Sequence, residues 1–410
     1  MIEIKDKYQC SGCSACEQRC PKQCISLKED PEGFMYPFVD IEKCINCGLC
    51  ERVCPIINQG KPRSPLKVFA AKNKNEEIRL KSSSGGIFTL LAESIIQEGG
   101  VVFGARFDES WNVIHDYTEA IEGLEAFRGS KYVQSRIGKS FQQVESFLKT
   151  GRKVMFTGTP CQVAGLKKYL RKEYENLLTV DFVCHGVPSP LVWQEYLNKV
   201  ICSKKEFSGN TDLLFDKRAP EITGISFRDK LNGWKKFGFV VYAKCSSEKD
   251  INKGLSTESR VLLHEPFYEN VFMKGFLCDI FLRPSCYACP AKSGKSGADI
   301  TLGDFWGIEN HFPKFDDDKG ISLVMIQTQK GQSFFTSMEN GSFFEVSYGE
   351  ALAGNLAIER SAKCASKYRS LFWESEDKVT NILRVISKMK PGITRRCVDF
   401  IKRKIRNTFS

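Results

Sequence analysis

The cysteines of this chain have the spacing with the clearest chemistry. Two segments share the pattern C-x2-C-x2-C-x3-C-P, and their cysteines are Cys10, Cys13, Cys16 and Cys20 in the first and Cys44, Cys47, Cys50 and Cys54 in the second. In two-cluster ferredoxins this spacing holds two [4Fe–4S] clusters, and the fourth cysteine of each segment binds the other cluster. The predicted ligand sets are Cys10, Cys13, Cys16 and Cys54 for the first cluster and Cys20, Cys44, Cys47 and Cys50 for the second.

Zinc is the alternative for such cysteines, because CxxC pairs also bind zinc. A zinc site takes its ligands in two pairs, whereas each segment here offers three close cysteines and a distant fourth. We expect each fourth cysteine to begin a short helix that runs toward the other cluster. Cys24 lies outside the pattern, and we expect it to be a buried thiol.

Length and charge limit the class of protein. A chain of 410 residues is long enough for two or three domains. The formal net charge is +11, but residues 378–410 contain ten Lys or Arg and one acid, so the charge is concentrated in the tail. Because bound clusters add negative charge to the body, the composition gives no support to a general nucleic-acid role. The start lacks the layout of a signal peptide, and the many cysteines fit a reducing compartment, so we expect a cytoplasmic protein.

A βαβ unit is the best-defined element pattern of the larger body. Strand 153–157, helix 161–170 and strand 177–184 follow one another, and this order predicts a parallel strand pair. Further strands are predicted at 68–71, 101–104 and 113–114, and a helix at 86–98. We expect an α/β or α+β body with a mixed sheet, preceded by a bacterial-ferredoxin-like domain. The expected divisions are a ferredoxin domain at 1–60, a body in two parts at 66–150 and 151–350, and a basic helical tail at 351–410.

Four further cysteines suggest a third metal site. Cys161 and Cys184 follow neighbouring strands of the βαβ unit, so both should lie at the same edge of the sheet, where ligands collect. Cys161 also lies in the first turn of a helix, which lowers the pKa of a thiol. The pair Cys286 and Cys289 needs two more ligands, and the four together make a candidate third cluster. Alternatively, the first two are core thiols and the pair binds zinc; Cys278 is a reserve ligand.

Two helix starts suggest contact with a phosphate or a flavin. The segment 82–86 is Ser-Ser-Ser-Gly-Gly, and Gly158, Thr159 and Pro160 open another helix with Thr159 as its N-cap. Helix N-termini offer free N–H groups and the positive end of a dipole. Most such starts are only caps, and that alternative stays open here.

The body resembles the family of beta subunits of coenzyme F420 (deazaflavin) hydrogenases and dehydrogenases. The matching segments lie at 83–86, 129–135, 156–162, 184–189, 286–289 and 299–306, in the family's order. The fused two-cluster segment resembles the longer members of the family. The resemblance implies a non-covalent FAD beside a [4Fe–4S] cluster, with one-electron carriers on one side and a two-electron substrate on the other.

Carried over by resemblance, the FAD contacts would be Ser83, Ser84, Gly85, Gly86, Lys131, Tyr132, Gln134, Ser135, Thr157, Gly158, Thr159 and Pro160, with Asp304 near the flavin or the cluster. Lys131 could stabilise a reduced flavin or a phosphate, and His185 could donate a proton, so these two are the catalytic candidates. The alternatives are a surface lysine and a structural histidine. The family includes members of unknown substrate, some of them beside surface-polysaccharide genes, so the resemblance does not fix the substrate.

The tail has a basic amphipathic pattern. Ile393, Cys397, Ile401 and Ile405 recur every four residues among lysines and arginines. This pattern is typical of a helix that binds a membrane surface or a partner, and the alternative is a solvated helix. The expected partners are a redox protein or ferredoxin, a small two-electron substrate and a second copy of the chain, with peripheral membrane contact and no nucleic acid.

The sequence is compatible with three functions. The first is an iron–sulfur flavoprotein oxidoreductase that passes electrons between ferredoxin-type clusters and a two-electron substrate through FAD. The second is an electron-transfer subunit that serves a partner enzyme and has no substrate site of its own. The third is a metal-stapled scaffold in envelope polysaccharide assembly.

Overall fold

The computed structural model describes residues 1–206, 221–244, 259–363 and 366–389. These residues form two compact units. The first contains Met1–Arg128, Val133–Val187 and Leu282–Lys363, and the second contains the remaining described residues. No helix in the described part of the chain is long and apolar enough to cross a bilayer. The basic helix predicted from Ile393 to Ile405 lies outside the described residues.

Strands and helices alternate along the body. The strands are β1 (Ile25–Glu29), β2 (Met35–Val39), β3 (Lys67–Asn73), β4 (Val101–Phe107), β5 (Val113–Thr118), β6 (Val154–Gly158), β7 (Leu177–Phe182), β8 (Glu221–Asp229), β9 (Gly238–Lys244), β10 (Ser259–Pro266), β11 (Ile300–Asp304), β12 (Ser322–Ile326) and β13 (Gly341–Val346). The helices are α1 (Ala15–Gln18), α2 (Leu49–Arg52), α3 (Glu76–Leu80), α4 (Ile87–Gln97), α5 (Ser140–Lys149), α6 (Pro160–Leu170), α7 (Pro190–Glu206), α8 (Val271–Leu277), α9 (Gln329–Thr336), α10 (Tyr348–Gly354), α11 (Ser366–Trp373) and α12 (Lys378–Lys388).

An eight-stranded mixed sheet organises the first unit. Its order is β13-β3-β12-β11-β7-β6-β4-β5. Strands β4, β6, β7 and β11 are parallel neighbours, and β12 runs antiparallel to both β11 and β3. The predicted βαβ unit is confirmed as β6–α6–β7, and the predicted mixed α/β body is confirmed with it. The carboxyl ends of the parallel strands therefore meet at one edge of the sheet.

Apolar side chains cover both faces of this sheet. Along β6, Val154 and Phe156 belong to one core cluster and Met155 belongs to another, because successive strand residues point to opposite faces. The hydrophobic core cluster with Met155 also contains apolar side chains of α4, among them Leu91 and Ile95. The cluster with Val154 contains α5 and α6, together with Cys13, Ala15 and Val53 of the ferredoxin segment. The ferredoxin segment thus shares a hydrophobic core with the helices of one face.

The two cysteine segments adopt matching loops. In the first, Gly12 and Ser14 have φ values of +68° and +62°; in the second, Asn46 and Gly48 have φ values of +50° and +67°. The repeated sequence therefore gives a repeated left-handed backbone. The expected helix at the fourth cysteine is wrong: α1 and α2 begin beside the third cysteine and end before Cys20 and Cys54. The left-handed residue after the second cysteine starts the helix early, which explains the difference.

The second unit has its own sheet and core. Strands β8, β9 and β10 form an antiparallel sheet in the order β10-β9-β8. Trp193 of α7 lies 5.0 Å from the Phe227 ring and 5.4 Å from the Phe272 ring, measured between ring centroids. This aromatic core ties the sheet to α7 and α8.

Candidate iron–sulfur and cofactor site

The second ferredoxin site is an open cleft at the surface of the ferredoxin segment. The four predicted ligands all line it, namely Cys20, Cys44, Cys47 and Cys50. The N–H of Ile2 donates to the sulfur of Cys50 over 3.2 Å. Cys24 is buried, as expected, and its sulfur lies 3.4 Å from that of Cys20. Cys47 is exposed, so this site opens to solvent.

The first ferredoxin site lies deeper. The pKa of Cys13 is raised to about 12, mainly by burial and to a smaller extent by the neighbouring thiols of Cys10 and Cys54. The pKa of Cys16 is also raised, first by burial and then by Cys13, Cys10 and Cys54. The four predicted ligands are therefore close enough to act on one another electrostatically.

The third site gathers the four cysteines predicted for it. Cys161 lies in the first turn of α6, Cys184 follows β7, and Cys286 and Cys289 lie in and after a 3₁₀ turn at Pro284–Ala288. Burial raises the pKa of Cys286, and the thiols of Cys184, Cys161 and Cys289 add to this effect. The expectation that the helix start lowers the pKa of Cys161 is wrong. Burial dominates and raises that pKa to about 11.

Hydrogen-bond donors already face these sulfurs. The N–H of Val187 donates to the Cys286 sulfur over 3.4 Å, and the Thr159 hydroxyl lies 3.2 Å from the Cys161 sulfur. Hydrogen bonds to sulfur are a normal feature of cluster sites. Among the described residues, no three Cys, His, Asp or Glu side chains are arranged to hold a metal ion. The electrostatic effects among Cys161, Cys184, Cys286 and Cys289 show that the four thiols lie near one another, and four cysteine thiolates are the usual ligands of a [4Fe–4S] cluster.

Helix α6 lies between the first and third sites. It carries Cys161 in its first turn and Gly165 one turn later. A Cβ placed on Gly165 would lie 2.8 Å from the Cβ of Cys13 and 3.0 Å from its sulfur. The absence of a side chain at Gly165 therefore lets the first ferredoxin loop pack directly on the helix that carries a ligand of the third site.

The predicted flavin residues form two groups at the carboxyl edge of the large sheet. In the first group, the Ser84 hydroxyl donates to the Ile321 carbonyl over 2.8 Å, and the Gly85 N–H donates to the Ser322 hydroxyl over 3.0 Å. Asp304 ends β11 at this edge. Gly85 also packs on β3, where an added Cβ would lie 2.4 Å from the Ala71 carbonyl oxygen. Close packing against β3 is therefore sufficient to explain why position 85 is a glycine.

The second group surrounds the start of α6. The side-chain amide of Gln162 donates to the Ser135 hydroxyl over 2.9 Å, and its oxygen accepts from the Thr159 N–H over 2.9 Å. Thr159 is the N-cap of α6 in a capping box with Gln162, as the sequence indicated for the cap. Ser135 and the 157–160 loop are therefore brought together. The capping box, however, already uses the Thr159 N–H, which a phosphate at this helix start would otherwise accept from.

The remaining candidates are divided between the two units. Lys131 and Tyr132 belong to the second unit, where Tyr132 stacks on Phe276 at 4.8 Å between ring centroids. Burial lowers the pKa of Lys131 to about 7. Gln134 belongs to the first unit and donates to the Ser11 carbonyl over 3.1 Å. His185 is half-buried directly after Cys184, and Cys278 lies in the second unit.

Two buried cations escaped the sequence reasoning. Arg283 and Lys292 flank the Cys286–Cys289 pair at short distances in the sequence, and a single basic residue at such a place carries no recognisable pattern. The Lys292 ammonium donates to the Cys184 carbonyl and, over 2.6 Å, to the Ala357 carbonyl. Lys292 also lines an open cleft, together with Arg63, Asp181, Cys184 and Gln327 among others.

Comparison with known protein families finds two domain matches. The 4Fe-4S dicluster domain matches residues 9–56, and the family described as the C terminus of the coenzyme F420 hydrogenase/dehydrogenase beta subunit matches residues 151–351. An uncharacterized ferredoxin of Methanocaldococcus jannaschii is 34% identical over 73 residues, which are 18% of this chain and 87% of that protein.

Two longer relatives cover much of the body. The coenzyme F420-dependent sulfite reductase of Methanocaldococcus jannaschii is 26% identical over 263 residues, or 60% of this chain and 40% of that protein. One of the subunits of the F420H2 dehydrogenase of Methanosarcina mazei is 24% identical over 257 residues, or 60% of this chain and 67% of that protein. The chain thus matches less than half the length of the sulfite reductase.

A chain of the F420-reducing [NiFe] hydrogenase complex from Methanosarcina barkeri aligns with a TM-score of 0.43 at 18% identity, over 79% of this chain and 92% of that one. The two domain matches follow one another along the sequence and cover the cysteine segments and the third site. The chain therefore contains the C-terminal domain of the coenzyme F420 hydrogenase/dehydrogenase beta subunit family at residues 151–351, and a 4Fe–4S dicluster ferredoxin domain at residues 9–56.

Proposed function

We propose that the chain is an iron–sulfur flavoprotein oxidoreductase. The three cysteine sets would hold clusters that carry single electrons inward from the second set, and a bound flavin would supply the two-electron exchange with a small substrate. The observation that carries this proposal is the placement of the first and third cysteine sets against the same helix, α6.

The exposure of the cysteine sets supports the order of transfer. Cys47 of the second set is exposed, and Ile41 and Ile45 beside it are 72% and 58% exposed. Exposed apolar residues around a cofactor site are typical of docking surfaces for partner proteins. Cys13 of the first set is buried against Gly165 of α6. A one-electron donor can thus reach the second cluster, while the protein encloses the inner two.

The carboxyl edge of the large sheet is the proposed flavin region. Helix α4 begins at this edge after Gly86, and its N-terminal dipole favours a pyrophosphate. The loops with Ser84, Thr159 and Cys184 follow β-strands that end there or pack on those strand ends. When bound, a flavin would supply the conversion between one-electron and two-electron transfer. We propose Lys131 and His185 as residues that assist the flavin or the substrate with a charge or a proton.

The family resemblance supports a two-electron substrate, and coenzyme F420 is the first compound to test because the names of two relatives include it. The second candidate function is an electron-transfer subunit without a substrate site, and the exposed apolar surface at the second cluster favours a protein partner in either case. The two functions differ in whether the isolated chain turns over a substrate.

Anaerobic purification followed by iron, sulfide and flavin analysis tests the proposal. We expect about 12 iron atoms per chain, the content of three four-iron clusters, and one flavin. Protein with clusters and no flavin after reconstitution with FAD would support the electron-transfer role instead. Zinc in place of iron would contradict both.

A further inference from the structure

Arg283 is a buried cation in contact with the first ferredoxin site. Only 1% of its surface is exposed. Its Nε donates to the Cys10 carbonyl over 2.7 Å, and its Nη2 lies 3.6 Å from the Cys10 sulfur. Nη2 also donates to the Met35 carbonyl over 2.9 Å. The guanidinium thus holds the backbone and the sulfur of a predicted cluster ligand at once.

The partners of this guanidinium are all neutral. Nη1 donates to the side-chain oxygen of Gln134 over 3.0 Å, and the amide nitrogen of Gln134 donates to the Ser11 carbonyl. Within the described ranges, no Asp or Glu forms an ion pair with Arg283. A charge buried without an opposite charge is costly. The negative charge of a bound cluster would provide the missing counter-charge.

The fold leaves room for this contact. Gly12 lies between Cys10 and Cys13 with φ +68°, and a Cβ there would lie 2.7 Å from Nη1 of Arg283. The ring of Tyr36 lies 4.4 Å from the guanidinium carbon on another side. Gly12 on one side and the ring of Tyr36 on another therefore hold the Arg283 guanidinium in one position beside the first site.

The same residue is built into the third site. Arg283 is the N-cap of the 3₁₀ turn that carries Cys286, and its carbonyl accepts the Cys286 N–H over 2.9 Å. Its own N–H donates to the Val187 carbonyl over 2.9 Å, while the Val187 N–H donates to the Cys286 sulfur. The charge of Arg283 also lowers the pKa of Cys161 against the larger effect of burial. One residue thus joins the two inner cysteine sets.

We propose that Arg283 raises the reduction potential of the first cluster above that of the second, and so directs electrons inward. This inference rests on the proposed function. Reduction adds one electron and no proton to a cluster, and a fixed positive charge in a buried site stabilises the reduced form more than the oxidised one. In the transfer itself, the second cluster is oxidised by one electron and the first is reduced by one, after an external one-electron donor has reduced the second.

The experiment is an EPR-monitored redox titration of the full chain with its clusters bound. Arg283→Met removes the charge and keeps a long side chain, and Arg283→Lys keeps the charge. Arg52→Met is the matched control, because Arg52 donates to the carbonyl of Cys47 over 3.1 Å from an exposed position. Iron content is measured for every variant.

For Arg283→Met we expect at least a tenfold fall in the equilibrium constant for reduction of the first cluster, which is about 59 mV for a one-electron couple. We expect the reduction potential of the second cluster to stay unchanged, since Arg283 does not contact the ligands of that cluster in the described structure. In Arg283→Lys, the equilibrium constant for reduction of the first cluster should stay within threefold of the wild-type value. The same result is expected for Arg52→Met.

Full iron content with an unchanged first-cluster potential in Arg283→Met would overturn the proposal. A tenfold fall in Arg283→Lys would also overturn it, because that variant keeps the charge. If Arg283→Met loses the iron of the first cluster, Arg283→Lys decides alone: a potential near the wild type supports the proposal, and a tenfold fall contradicts it. Wild-type protein without iron would instead refute the proposed function.

Discussion

Removal of the Cys286–Cys289 pair tests whether the third site holds a cluster. The pair supplies two of the four thiols that act on one another at this site, and the other two come from Cys161 and Cys184. Because single ligand loss can leave a smaller cluster, the perturbation is the double variant Cys286→Ala with Cys289→Ala. The two ferredoxin sites take no ligand from this pair.

The expected magnitude follows from the ligand sets. Three four-iron clusters contain about 12 iron atoms, and the double variant should keep about 8, a loss of one third of iron and sulfide. The assay is iron and sulfide content of anaerobically purified and reconstituted protein, with EPR of the reduced sample. The two ferredoxin clusters should keep their signals, since their eight cysteines are unchanged.

Cys278→Ala is the matched control, because Cys278 belongs to the second compact unit. We expect it to keep about 12 iron atoms. The assignment of the third site is refuted if the double variant binds as much iron as the wild type. It is refuted equally if the wild type and the double variant both hold about 8 iron atoms.

Three further predictions concern stability and the docking surface. Burial raises the pKa of Asp181 to about 6 from 3.8, so the native state loses stability as the pH rises from about 4 to about 6, and Asp181→Asn should raise the free energy of unfolding near pH 7.5 by about 3 kcal/mol. Ile45→Glu should slow reduction by a ferredoxin-type donor about tenfold, or about 1.4 kcal/mol, by placing a charge on the docking surface. Asp299→Ala should lower the free energy of unfolding by about 3 kcal/mol, because the Asp299 carboxylate accepts hydrogen bonds from Thr179 and Thr328.

Each of these has a control and a contrary result. Denaturant titrations measure the two stability effects, and an Asp181→Asn variant no more stable than the wild type near pH 7.5 contradicts the first. Leu231 is an exposed residue of the second unit, so Leu231→Glu should leave the rate of reduction by the donor unchanged. Equal slowing by Leu231→Glu and Ile45→Glu would contradict the prediction for the docking surface. Asp299→Asn keeps one side-chain acceptor, so it should lower the free energy of unfolding by less than Asp299→Ala does. Equal decreases in the two variants would contradict the prediction for Asp299.

Local patterns account for the parts of the fold that the sequence predicted. The spacing of Cys10 to Cys20 repeats at Cys44 to Cys54, and the repeat produces two loops with the same left-handed positions. The β6–α6–β7 unit is equally local, since a strand, a capped helix and a strand follow one another without interruption. Both features depend on residues that are close in the sequence, which is why their types and spacing were informative.

Long-range packing accounts for the rest. Arg283 reaches Cys10 across 273 positions of the sequence, so no local pattern connects them. The helix start at Cys161 predicts a lowered pKa, but burial raises this pKa, and the burial depends on segments that meet only in the folded chain. Residues whose roles depend on such encounters were missed or misjudged.

The proposed function requires that electrons from the ferredoxin clusters reach a flavin through the third cluster. Stopped-flow mixing of the oxidised, flavin-loaded chain with a reduced ferredoxin-type donor tests this requirement, in the wild type and in the Cys286→Ala, Cys289→Ala double variant. We predict that the flavin is reduced after the clusters in the wild type and stays oxidised on the same timescale in the double variant. Equally rapid flavin reduction in both proteins would contradict this requirement.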